Sequence, residues 1–158
     1  MMHLLKTASI ITSAILISAC ATGPKYHMIK ESIPELEANK GRIYFYRANS
    51  FVGAGLQPTI KLNGKGVGKS KPGGFFFVDR EPGDMEVSTS TEVEKKLTFK
   101  LEAKQTRYVK TSISLGILVG RVYPELVDNE VGEKEIAESS YAGQALGEIA
   151  ASAIASQP

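Results

Sequence analysis

The chain has 158 residues and a formal net charge of +2, with 19 Lys+Arg set against 17 Asp+Glu. That balance removes the electrostatic case for a nucleic-acid partner, and the length suits one domain with short appendages. The one cysteine, Cys20, rules out an internal disulfide, and His3 and His27 are too few for a His/Cys metal site. An all-carboxylate site would need acidic clustering that the sequence lacks, so neither a metal nor a cofactor is expected.

Residues 1–6 carry positive charge from the α-amino group and Lys6, and residues 7–18 form an apolar run of the length found in secretory signals. A spanning helix needs roughly 20 apolar residues, so the run is too short to be a good membrane anchor by itself. Small residues at Ser18 and Ala19 let an extended backbone enter a peptidase cleft. The stretch Leu16-Ile17-Ser18-Ala19-Cys20 thus resembles the lipobox of bacterial lipoprotein signal peptides. The resemblance implies that residues 1–19 are removed and that Cys20 is acylated, making the membrane a partner through its lipid. Each buried methylene contributes ~0.8 kcal/mol, and a single chain holds only reversibly. The three chains usual for such lipoproteins would make retention permanent. Ala21, where an Asp would favour the inner membrane, implies the periplasmic face of the outer membrane.

Residues 20–40 are polar, contain Pro24 and Pro34, and show no sustained period, which predicts a lipidated tether. Twenty residues reach at most ~70 Å when extended and span ~25 Å as a flexible coil. Within them, Ser32-x-x-Glu35 predicts a capped turn of helix running to Asn39 and ended by Gly41.

Residues 41–140 read as a β domain. Arg42-Ile43-Tyr44-Phe45-Tyr46-Arg47 is rich in aromatic and β-branched residues, as a strand buried on one face and half covered on the other would be. Strands are predicted at 59–62 and 65–69 around Asn63-Gly64, the hairpin pair that supplies two positive φ angles. Further strands are expected at 74–78, at 85–91 with Met85, Val87 and Thr89 on one face, and at 96–101 with Leu97, Phe99 and Leu101 inward. Residues 106–115 repeat the pattern, and 117–122 with 125–127 supply edge pairing. The spacing predicts an all-β fold, an antiparallel β-sandwich of about seven or eight strands. A short helix is expected over 130–139, supported by Glu130 and Lys134 at i,i+4. Residues 141–158 turn to Ala, Gly and Ser, and predict a disordered or weakly helical tail.

Gly41-Arg42-Ile43-Tyr44-Phe45-Tyr46-Arg47, Phe51-Val52-Gly53-Ala54-Gly55, Gly74-Phe75-Phe76-Phe77-Val78, Ser88-Thr89-Ser90-Thr91-Glu92 and Gly132-Glu133-Lys134-Glu135-Ile136 together resemble a family of predicted bacterial lipoproteins built on a domain of unknown function. The resemblance implies one domain and an envelope location, and no chemistry.

Two apolar loops are the candidate binding sites. Residues 50–56 present Phe51 and Val52, and residues 116–121 place Leu118 and Val119 beside Arg121. They either form a patch for a protein partner or a lipid-like ligand, or plug the open end of the sandwich. The expectation is that Phe51 packs, with Val52 or Arg121 facing outward. Lys95, Lys96, Lys100, Lys104, Arg107 and Lys110 could meet peptidoglycan carboxylates or anionic headgroups. Interleaved Glu92, Glu94 and Glu102 favour an ordinary solvated face. No catalytic residue is expected: the Ser88–Thr91 hydroxyls have no histidine within the domain, and turn chemistry explains Asp79, Glu81 and Asp84. The chain is therefore expected to be a non-enzymatic outer-membrane lipoprotein whose periplasmic sandwich binds another envelope component, a protein or peptidoglycan. The alternative is a carrier of a small apolar ligand, which would need a recess of at least ~300 Å³ beside Phe51 and Leu118.

Overall fold

The computed structural model describes residues 21–114 and 120–143. Two sheets face one another. The larger has the order β8-β7-β1-β4-β9 and the smaller β3-β2-β5-β6. Its strands are β1 (Gly41–Tyr46), β2 (Thr59–Leu62), β3 (Lys65–Lys69), β4 (Gly74–Arg80), β5 (Gly83–Ser90), β6 (Glu94–Leu101), β7 (Thr106–Ser114), β8 (Arg121–Val127) and β9 (Ser140–Tyr141). Helix α1 covers Tyr26–Ile29, continued by a 3-10 turn at Lys30–Ser32, and helix α2 covers Asn129–Ile136.

The predicted all-β sandwich is present, and β2 and β3 occupy the residues expected of them. Asn63 (φ 48°) and Gly64 (φ 78°) join them with the two positive φ angles that a type I′ turn demands. The smaller sheet is wholly antiparallel. The larger is mixed, because β1 lies parallel to β7 and β4 parallel to β9. Alternating side chains report which face is buried and carry no information on strand direction, so the parallel pairs were not legible.

Every residue of β1 is buried, since the larger sheet is covered on both faces. Toward the smaller sheet, Phe45 stacks on Phe76 with ring centroids 5.1 Å apart. Ile43, Val109, Ile60, Val87 and Leu101 complete that core. Two buried hydroxyl contacts tie the sheets: Thr89 donates to the Val122 carbonyl at 2.7 Å, and Ser70 meets Thr111 at 2.8 Å. On the other face lies an aromatic layer in which Tyr44 stacks on Tyr108 at 5.1 Å and Tyr26 meets Phe75 edge-on at 5.4 Å. Burial pushes the Tyr108 hydroxyl up to about 12. Helix α2 seats here at Gly132, where a Cβ would lie 2.2 Å from the Tyr108 ring, so only glycine permits the approach.

Residues 21–40 are not a free tether. The amide of Tyr26 donates to the Ser139 carbonyl at 2.9 Å, and that of Tyr141 to Pro24 at 2.9 Å. Tyr26 itself is buried in the aromatic layer. The physical reason is the outer face of the larger sheet, whose rings would otherwise meet water. Ile29 and Ile33 pack against the same core, but these three residues stand between Pro24 and Pro34 among charged neighbours, too short a pattern to announce a docked segment in the sequence. Ser32 and Glu35 begin no helix; the short helix lies earlier, at Tyr26–Ile29.

Residues 141–143, expected to begin a free tail, are instead part of the domain. Tyr141 is buried, and the Ala142 amide donates to the Phe75 carbonyl at 2.7 Å. Residues 144–158 lie outside the described residues.

Candidate functional site

The antiparallel and parallel pairings bring the C-terminal ends of β1 and β7 and the N-terminal ends of β4 and β8 to one end of the sandwich. The β5–β6 turn at residues 91–93 joins them, because Thr89 pairs with Ile60 near the start of β2. The long connection of residues 48–58 crosses this end.

Arg47 organises that connection. It follows β1 on the core side, is 2% exposed, and donates to the carbonyls of Leu56 at 2.6 Å, Gly53 at 2.8 Å and Ser70 at 3.2 Å. Burial pulls its pKa downward, yet a guanidinium stays charged throughout the physiological range. The loop also bonds to itself, with the amides of Ala54 and Leu56 donating to Phe51 and Gly53 at 3.1 and 2.9 Å. Gln57 donates to Ala54 at 3.2 Å. The loop backbone is thus a fixed shape rather than a plug.

On that shape Phe51 is 96% exposed and Val52 58% exposed. This overturns the expectation that Phe51 packs into the core. The Arg47 bonds hold the loop over the opening, and Ile113, not Phe51, is the half-buried apolar residue beneath it. Val93, 46% exposed in the β5–β6 turn, lies at the same end and was not singled out by sequence. Its signal was weak, one valine between Glu92 and Glu94. Arg121 does not face outward freely: its Nε lies 3.7 Å from Glu92 Oε2, linking β8 to that turn. The structure therefore gathers Phe51, Val52 and Arg121 at one end. Leu118 and Val119 lie outside the described residues.

Beside the loop, the Tyr46 hydroxyl donates to Glu135 at 2.5 Å and Lys110 to the same carboxylate at 2.9 Å. These two donors, Tyr46 first, hold the Glu135 carboxyl below its usual range. Burial and then the Glu135 bond push the Tyr46 hydroxyl upward. A recess of about 190 Å³ between Val52 and Ile113, and one of about 180 Å³ between Asn49 and Glu135, flank the loop.

The lysines do not form one face. Lys96 reaches Glu86 at 3.0 Å, Lys95 turns to the Tyr123 ring at 5.1 Å, and Lys110 is on the other sheet with Glu135. Asp79 is held by Arg42 at 2.7 and 2.8 Å. Thr89 of the hydroxyl run is a buried link between the sheets. Among the described residues, no three His, Cys, Asp or Glu side chains are grouped to hold a metal ion. Nor, among them, is any helix long and apolar enough to cross a membrane.

These features define a β-sandwich covered on one side by Tyr26, helix α2 and Tyr141, with a rigid apolar loop at one end. The chain belongs to the family described as Protein of unknown function (DUF2846), whose model matches residues 37–122, from before β1 into β8. It is similar to an uncharacterized protein of Haemophilus influenzae, 32% identical over 146 residues that cover 89% of this chain and 86% of the relative. No solved structure shows a significant match.

Proposed function

We propose that this protein is a non-enzymatic lipoprotein of the bacterial envelope, acylated at Cys20 after removal of residues 1–19. It is held at the periplasmic face of the outer membrane and uses the exposed end of its sandwich to bind another envelope component. The observation that carries the binding reading is Phe51, almost wholly exposed on a loop fixed by Arg47. Phe51 stands with exposed Val52 and Val93 at one end, and contiguous exposed apolar surface of this kind marks interaction sites. The carrier alternative is less well supported. Ligand sites usually hold ~300 Å³ or more, whereas the described recesses beside the loop hold about 190 and 180 Å³. A larger open hollow of about 410 Å³, lined by Met85 and Phe99 together with Asn63, Glu86 and Lys100, lies at the opposite end, away from the exposed loop.

The acylation step is tested by Cys20→Ala, which removes the thiol that accepts the diacylglyceryl group. Uncleaved precursor should accumulate and fatty-acid labelling should vanish. Normal labelling of this variant would remove the lipoprotein reading.

A further inference from the structure

The first described residue, Ala21, donates its amide to the Pro72 carbonyl at 3.2 Å. Pro72 belongs to the turn before β4, at the same end as the 48–58 loop. Gly73 of that turn and Asn49 of the loop line one recess. Cys20 is covalently next to Ala21, so its Cα lies only about 3.8 Å from one that the domain itself holds. Acyl chains on Cys20 would therefore start at the surface of the domain, without the slack of a tether.

We propose that this end of the sandwich seats directly in the phospholipid leaflet that takes up those chains, with Phe51, Val52 and Val93 entering the headgroup–acyl boundary. The partner of the exposed loop is then the lipid surface itself. The inference rests on acylation of Cys20 and deepens the binding reading by naming the component bound.

Four observations converge on it. The exposed apolar residues Phe51, Val52 and Val93 lie on the end where the Pro72 carbonyl holds the Ala21 amide. Residues 48–58 contain no charged side chain, so nothing in the loop resists leaving water. Its carbonyls at Gly53 and Leu56 are already satisfied by Arg47, which lowers the cost of moving this backbone out of water. Exposed Lys69 and half-buried Lys71 flank the loop, where ammonium groups meet lipid phosphates favourably.

The test uses the full acylated protein in vesicles of phosphatidylethanolamine and phosphatidylglycerol. Acylation occupies Cys20, so a thiol placed by Phe51→Cys takes an environment-sensitive dye alone. A second variant, Ala103→Cys, places the dye at the opposite end. The dye at position 51 should shift to the blue on reconstitution and be quenched by shallow nitroxide lipids, while that at position 103 should report water. Protein that floats with the vesicles while position 51 reports water overturns the proposal and leaves the anchor reading intact. In that event, crosslinking from position 51 to a protein in cells would assign the loop to a protein partner. Absence of acyl chains, read separately by labelled palmitate, overturns the anchor reading and this proposal together.

Discussion

Arg42, near the start of β1, and Arg47, just after its end, are both buried, and their charges are accommodated in opposite ways at opposite ends of the molecule. Arg42 forms a two-point pair with Asp79, donates to the Pro34 carbonyl at 2.8 Å and lies 4.6 Å over the Phe77 ring. Burial works against its charge, but Asp79 outweighs burial and its pKa moves upward. Arg47 donates to three backbone carbonyls, and burial moves its pKa downward. The Arg42 end carries short turns with charged residues such as Glu81, Asp84, Glu102 and Lys104. The Arg47 end carries the uncharged loop and Phe51. The Arg42 end is closed by an ion pair, whereas at the Arg47 end loop carbonyls are satisfied from within the fold. A charge balanced by an acid holds a structure closed; a charge spent on carbonyls holds a loop in shape.

The comparison can be broken from its largest expected effect downward. Phe45 and Phe51 are chemically identical and sit at the extremes of burial, 0% and 96% exposed. Phe45→Ala leaves a cavity and should cost about 3–5 kcal/mol in urea unfolding. A smaller cost would mean that the two sheets collapse onto the gap.

Arg47→Met keeps the apolar stem and removes the donors to three carbonyls. Leaving buried acceptors unpaired should cost about 1–3 kcal/mol, with faster amide exchange across residues 50–57. Asp79→Asn should partly restore an Arg42→Met protein, because it removes the orphaned carboxylate. The same change should do nothing for Arg47→Met. Rescue in both would erase the distinction between the two ends.

A weaker effect is expected from pH. The folded pKa of Glu135 is depressed by Tyr46 and Lys110. Its contribution is therefore fully present above the range of an unfolded carboxylate and lost as pH falls through the lower folded value. Tyr46→Phe should flatten that acid limb of a stability–pH curve. An unchanged limb would place the acid sensitivity in another carboxylate.

Smallest of all, Phe51→Ala should alter stability by less than ~0.5 kcal/mol, because the ring touches almost nothing. A loss above 1 kcal/mol would show that the loop folds back as a plug.

The sandwich, its hairpin at Asn63-Gly64 and most strand positions were determined by the sequence itself. Period-two burial and turn chemistry are local, and they survive being read one segment at a time. The clustering of Phe51 and Val52 in a candidate loop was equally local. What only the tertiary structure decided was the company these segments keep. Arg42 and Arg47 look alike in sequence, flanking one hydrophobic strand, and differ because Asp79 reaches one and the loop carbonyls reach the other. Tyr26 reads as part of a polar linker until the larger sheet presents an aromatic face for it to cover. Phe51 reads equally well as plug or patch, and its exposure follows from Arg47 fixing the backbone beneath it. Burial of an isolated side chain and the direction of strand pairing are long-range outcomes, set by which surfaces meet when the chain closes on itself.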